Sequence, residues 1–389
     1  MPSSQSTSRT RSKSTTTLGE STVKTSHRKS SAYHRDFEQH LIDHGIHPNN
    51  RTQKPHNWDE IQQKMAQPRP SLSPSKFSDG AFETFQQANE EALTEAMVMR
   101  KPFPIISGNA DIPSAGELLF GNLKPLTDGT LVDAKPDFYD GARPKQIDRQ
   151  TRAELGSYIA PSAQHQAPVL PNFFTEVKGP DGSGAVAKRQ ACYDGVMGAR
   201  GVDKFRAYRV DNPETVYDDN AYTVTSTYHS ATGTLQVYTI HPTKPTDPEN
   251  HPEYYMTQLR SFAMTDTAER FREGAGAFRN GRDWAEERRN ELIAAANGRV
   301  TGIAQEMSTL ESSDHSMLSQ STAAPVALES ETSADELAQD MSEVPSLFQG
   351  RLKRGRDKRH STTDSKKRKK SYSGADGRSD SSARCSQNK

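Results

Sequence analysis

Apolar residues dense enough to build a core occur only between positions 33 and 300, about 265 residues, and this confinement bounds the fold. Ordering a residue costs roughly 1–2 kcal/mol of backbone entropy. With 32% hydrophobic residues and a mean hydropathy of −0.89, the 389-residue chain cannot meet that cost everywhere. Residues 1–30 and those beyond about 300 are Ser/Thr-rich and read as disordered tails. The expected organisation is a basic tail (1–30), a helical extension (31–100), an α/β domain (101–300), an acidic linker (301–350) and a basic tail (351–389). No apolar run reaches the ~18–20 residues of a membrane span, so no membrane partner is expected. The opening MPSSQSTSRTRSKS lacks the apolar segment of a secretory signal. Two cysteines, Cys192 and Cys385, make no disulfide framework and suit a reducing compartment.

The net charge of zero hides a segregation along the chain. Residues 1–35 carry +6, residues 300–350 carry −9 and residues 351–389 carry +10, which leaves −7 for the core. The basic clusters are Lys353 and Arg354, then, after a spacer of eleven residues, Lys366, Lys367, Arg368, Lys369 and Lys370. That spacing fits a bipartite nuclear-import signal, which implies an import receptor as partner and a nuclear location. The same lysines and arginines can neutralise nucleic-acid phosphates.

Within the core, Tyr33, Phe37, Leu41 and Ile42 predict a helix over 33–44, stopped by Gly45. Residues 68–74, rich in proline, read as an extended linker or wrapping arm. A second helix is expected over 82–99, and the proline- and glycine-rich stretch 102–145 should be irregular with short strands. A helix over 147–159 precedes the apolar run at 172–177, which has the make-up of a buried strand. The turn at 179–184 leads into a helix over 185–197. Residues 221–228 and 234–240 form a hairpin about Ser230-Ala231-Thr232-Gly233. A helical region is expected from 253 to about 297, with Asp266 and Glu269 as a capping box and Gly274 and Gly276 interrupting it. The order predicts a mixed α/β sheet flanked by helices.

The chemically suggestive constellation is Asp137, then Glu176-Val177-Lys178, then Gln190 and Tyr193. On a strand, Glu176 and Lys178 share a face while Val177 takes the other. A second carboxylate from a neighbouring element would complete a hard-oxygen site for Mg²⁺ or Mn²⁺. Asp137 is the first choice for it and Asp140 the alternative. Lys178 can then orient water. Gln190 and Tyr193, three apart on the following helix, can support the shell.

These residues and their order resemble the PD-(D/E)XK nuclease superfamily over roughly 136–241, especially its branch with Gln and Tyr on the helix after the E-x-K strand. The segments Pro171-Asn-Phe-Phe-Thr-Glu-Val-Lys-Gly-Pro180, Arg189-Gln-Ala-Cys-Tyr-Asp-Gly195 and Ala221-Tyr-Thr-Val-Thr-Ser-Thr-Tyr-His229 also resemble a fungal protein family with a nuclease-like domain, over about 33–300. The first resemblance implies a restriction-endonuclease-like core and metal-dependent hydrolysis of nucleic-acid phosphodiesters, with Asp137 and Glu176 as ligands. The rival expectation is a catalytically inactive module of that fold, binding protein or nucleic acid in the nucleus. The core charge of −7 favours the rival, because nuclease channels are basic.

Other features read more plainly. The loop Gly179-Pro-Asp-Gly-Ser-Gly184 matches no phosphate-binding pattern and reads as a tight turn. His40 and His44, i and i+4 beside His34 and His47, show no third ligand in sequence. Cys192 reads as a buried thiol, and Tyr222, Tyr228 and Tyr238 as strand packing rather than base-stacking platforms.

Overall fold

The computed structural model describes residues 29–50, 52–212, 217–245 and 252–318, with side chains described through residue 302. Along the chain come α1 (Phe37–Asp43), β1 (Ile46–Asn50), α2 (Trp58–Met65), α3 (Asp79–Glu90), α4 (Glu95–Arg100) and α5 (Pro102–Ser107). Then follow β2 (Ser114–Ala115), β3 (Phe138–Ala142), α6 (Arg149–Ile159), β4 (Val169–Lys178), α7 (Gly184–Arg206), β5 (Thr223–His229), β6 (Thr234–Thr243), β7 (Glu253–Ala263) and α8 (Ala268–Leu318). The seven strands form one mixed sheet in the order β1-β7-β6-β5-β4-β3-β2.

β4 is central, and every one of its residues is buried. It pairs antiparallel with β3 and parallel with β5, Glu176 opposite Thr227 and Lys178 opposite His229. Parallel pairing requires a crossover, and α7 supplies it, capped by Ser183, whose Oγ accepts from Val186 N. Alternation along β4 divides the core. Phe173 and Val177 pack in a cluster with α2, α3, α5 and α8. Phe174 packs in a second cluster with α1 and α7. A helical layer therefore covers each face of the sheet, the two-sided burial typical of strands that read as continuous apolar runs.

The structure departs from the sequence reading in several places. The expected helix over 82–99 is two helices, because Thr94 starts a new one by accepting from Met97 N at 3.3 Å. Of the two readings of 68–74, the extended linker fails: Pro70–Leu72 forms a 3-10 turn that buries Leu72 in the core. The segment 253–263 is a strand, not the start of a helix. Met256, Leu259 and Phe262 lie three apart, which mimics a helical face. They do so because a register shift in the β6–β7 ladder breaks the two-residue alternation. The helix cap is Thr267, whose hydroxyl accepts from Arg270 N, rather than Asp266. Nor does Gly274 interrupt α8. A Cβ there would collide with Met264 Sδ and lie 2.9 Å from Phe262 Cβ, so the glycine lets the helix lie against β7. The same helix continues to Leu318, into the segment expected to be an unstructured linker. The tails 1–28 and 319–389, with the import clusters, lie outside the described residues. No helix among the described residues is long and apolar enough to cross a membrane.

One buried group on β6 sets a pH dependence. His241 is 1% exposed and its Nδ1 has no hydrogen-bond partner. Burial pushes its pKa down from 6.5 to about 4. Between those values the unfolded chain takes up a proton that the folded chain refuses. Stability should therefore fall as pH drops from about 6.5 towards 4, by at most about 3 kcal/mol from this group. His241→Gln should flatten that part of the urea-midpoint profile. An unchanged profile would assign the acid sensitivity to other groups.

Candidate active site

Asp137 immediately precedes β3, and the β3–β4 register brings it beside Glu176. Two hydrogen bonds fix them: Asp137 N donates to Glu176 Oε1 at 3.2 Å, and Val177 N donates to Asp137 Oδ2 at 2.7 Å. Lys178, two residues on, places Nζ 3.7 Å from Asp137 Oδ2 and 3.6 Å from Glu176 Oε2. It also donates to Val177 O at 2.8 Å and to Glu95 Oε2 at 3.1 Å. Asp137, Glu176 and Lys178, expected together from sequence, are thus brought to one end of β4.

Two acids that the sequence reading missed complete the cluster. Asp194, 2% exposed, reaches it from α7, and Glu95 reaches it from the first turn of α4. Three of these carboxylates, Glu95, Asp137 and Glu176, lie within 4 Å of the one ammonium. Burial raises the pKa of Asp137 to about 6, with Lys178 opposing the shift. Burial likewise raises Asp194 to about 7. Glu176 is pushed well above the usual carboxylate range by burial and by the charges of Asp194 and Asp137. Burial works to lower the Lys178 pKa, but Glu176, Asp137 and Glu95 together raise it. Glu176 Oε2 and Asp194 Oδ2 are buried without a hydrogen-bond partner. Burying several carboxylates beside a single ammonium costs several kcal/mol per ion, and a divalent cation would add positive charge there. The acids are not drawn into a tight cage. Among the described residues, the three side chains whose ligand atoms all lie within 4.8 Å of one another are His40, His44 and Asp128. A hydrated Mg²⁺ held by one or two carboxylates needs no such cage.

The remaining expected residues divide. Gln190 lies one turn before Asp194 on α7, and its Oε1 is buried without a partner. Tyr193 turns away: its ring packs edge-on to Phe37 at 5.7 Å and its hydroxyl donates to Val132 O at 3.1 Å. It belongs to the core beneath α1. Asp140, the alternative first ligand, is fully buried and held by Arg282, with Nε to Oδ2 at 2.7 Å and Nη2 to Oδ1 at 2.9 Å. Ser114 Oγ donates to it as well, at 2.7 Å. Its oxygens are thereby committed to structure.

The other motifs are structural. The 179–184 loop is a turn closed by Gly182 N to Gly179 O at 3.0 Å. A Cβ on Gly179 would lie 2.9 Å from Glu95 N, so the glycine lets α4 pack against the end of β4. Cys192 is buried, and burial pushes its thiol pKa up. Tyr228 and Tyr238 are buried, and Tyr228 donates to Asn89 Oδ1 at 2.6 Å. Comparison of the chain with protein-family models, curated proteins and solved structures finds no match.

Proposed function

We propose that this chain is a metal-dependent nuclease whose core, β3, β4, α7 and β5, is of the PD-(D/E)XK type. The observation that carries the reading is the buried Asp137–Glu176–Lys178 cluster, where Lys178 Nζ lies within 4 Å of both carboxylates and Glu176 Oε2 accepts no hydrogen bond. Asp137 and Glu176 would hold Mg²⁺ or Mn²⁺, since hard oxygen donors suit those ions. Such an ion supplies charge stabilisation at a phosphoryl oxygen and a more acidic bound water. Lys178, fixed between two of those carboxylates, orients the attacking water. Asp194 offers a buried carboxyl with a pKa near neutrality, suited to moving a proton. Gln190 fixes the shell on the helix side.

The full chain with Mg²⁺ or Mn²⁺ should cut DNA or RNA, and Glu176→Gln should abolish cutting while near-UV circular dichroism stays unchanged. Absence of cutting by the wild-type chain on every nucleic acid tried would remove the catalytic reading.

A second reading, the same fold binding a nuclear partner without turnover, draws on the burial of the cluster. Glu176 is 0%, Lys178 2% and Asp137 6% exposed, with α4 seated over the end of β4. Both readings use the basic tail for import. Neutral residues at Lys366, Lys367, Arg368, Lys369 and Lys370 should move a large tagged fusion out of the nucleus. Continued nuclear accumulation would refute that assignment.

A further inference from the structure

A second cluster stands apart from the carboxylate site, where α1 meets the turn at 127–130. His40 and His44 lie one helical turn apart, their ring centroids 4.3 Å from each other. Phe37 and Leu41, both buried, hold this helix against α7, so the rings project from a fixed support. His44 Nδ1 lies 2.8 Å from His40 O, so the Nδ1–H donates and the lone pair is left on Nε2. His40 Nε2 faces the turn, 3.0 Å from Thr127 Oγ1 and 3.5 Å from Asp128 Oδ1. Asp128 is itself oriented: its Oδ1 accepts from Thr130 N at 3.0 Å and from Thr130 Oγ1 at 2.6 Å. One ligand atom from each of His40, His44 and Asp128 lies within 4.8 Å of the others.

We propose that His40, His44 and Asp128 form a binding site for a transition-metal dication of the zinc class. Two imidazole nitrogens and one carboxylate select Zn²⁺ over Mg²⁺ or Ca²⁺, which favour all-oxygen sets. The backbone carbonyl that holds His44 Nδ1–H fixes its tautomer, as an outer partner of a metal-bound histidine does. Three protein ligands leave a fourth position for water, and the half-exposed Asp128 keeps that position open to solvent. The metal would fasten the start of the domain to a distant loop. His40 and Thr127 are 87 residues apart in sequence. Beside them, Ser30 N donates to Thr130 O and Val132 N donates to Ser30 O, both at 2.8 Å. Closing so long a loop is where a cross-link has most entropy to remove. The proposal is independent of any nuclease activity.

The test uses the full chain carrying Glu176→Gln, which disables the carboxylate site, titrated with Co²⁺ as a spectroscopic stand-in for Zn²⁺. A visible ligand-field band of four-coordinate Co²⁺ should appear, and Zn²⁺ should displace it while Mg²⁺ does not. His44→Gln and Asp128→Asn, both at the surface, should each weaken binding by at least about tenfold. His47→Gln, whose ring stacks on Tyr255 outside the cluster, should leave it unchanged. Zn²⁺ should also raise the melting temperature of the Glu176→Gln chain and fail to do so when His40→Gln is added. No Co²⁺ band, or a band and affinity untouched by His44→Gln and Asp128→Asn, would overturn the proposal.

Discussion

Lys178→Met should lower phosphodiester turnover by roughly 10²–10⁴-fold, the usual worth of a positioned proton-handling or water-orienting group. The cation site should survive. Nζ stands 3.7 Å from Asp137 and 3.6 Å from Glu176 as a counter-charge, not as a ligand. Removing it leaves Asp137, Glu176, Asp194 and Glu95 facing one another with no positive partner. In chelator the variant should therefore be destabilised by about 3–5 kcal/mol, the usual cost of breaking a buried ion pair. Divalent cation should restore much of that, because it supplies the missing charge. The KM for nucleic acid should change far less than kcat, since the buried ammonium is 2% exposed and offers little surface to a substrate. Urea unfolding with and without Mn²⁺, alongside turnover, reads both effects. A variant that keeps turnover would show Lys178 to be only a structural partner of Glu95.

The largest effect away from that site is expected at Arg282→Met. Arg282 grips fully buried Asp140 through two hydrogen bonds and reaches Ser107 O and Ser114 Oγ. It thus ties α8 to β3, to β2 and to the end of α5. Its loss leaves a buried carboxylate with one hydroxyl donor, at a cost of about 3–5 kcal/mol. Pairing it with Asp140→Asn should recover part of that loss, because no charge is then stranded. Asp140→Asn alone should leave divalent-cation affinity at the wild-type value, whereas Asp137→Asn should reduce it. Urea midpoints for the single and double variants measure the first claim, and cation titrations the second.

What could be read from sequence follows from where the local signal is strong. β4 announces itself through Phe173, Phe174 and Val177, and α7 through the glycine turn and Ser183 before it. The spacing of Glu176 and Lys178 then follows from strand geometry alone. The misreadings occur where tertiary contacts override local pattern. β7 looks helical because a register shift dephases its alternation. Gly274 looks like a break until Phe262 and Met264 are seen against it. Tyr193 and Asp194 are adjacent, and choosing the tyrosine picked the side chain that faces Phe37. An acid in the apolar middle of a helix, one turn after Gln190, was the signal that pointed to Asp194 instead. Glu95 left no such trace, because its role depends on α4 folding back over Gly179. His40 and His44 show their spacing in sequence, but Asp128 joins them only through the fold.

If the buried acids hold a divalent cation, a calorimetric titration of Mn²⁺ into the full chain will register it. With His44→Gln present, so that the second cluster does not contribute, the chain should bind one ion and lose that binding when Glu176→Gln is added. Equal Mn²⁺ binding with and without Glu176→Gln would contradict it.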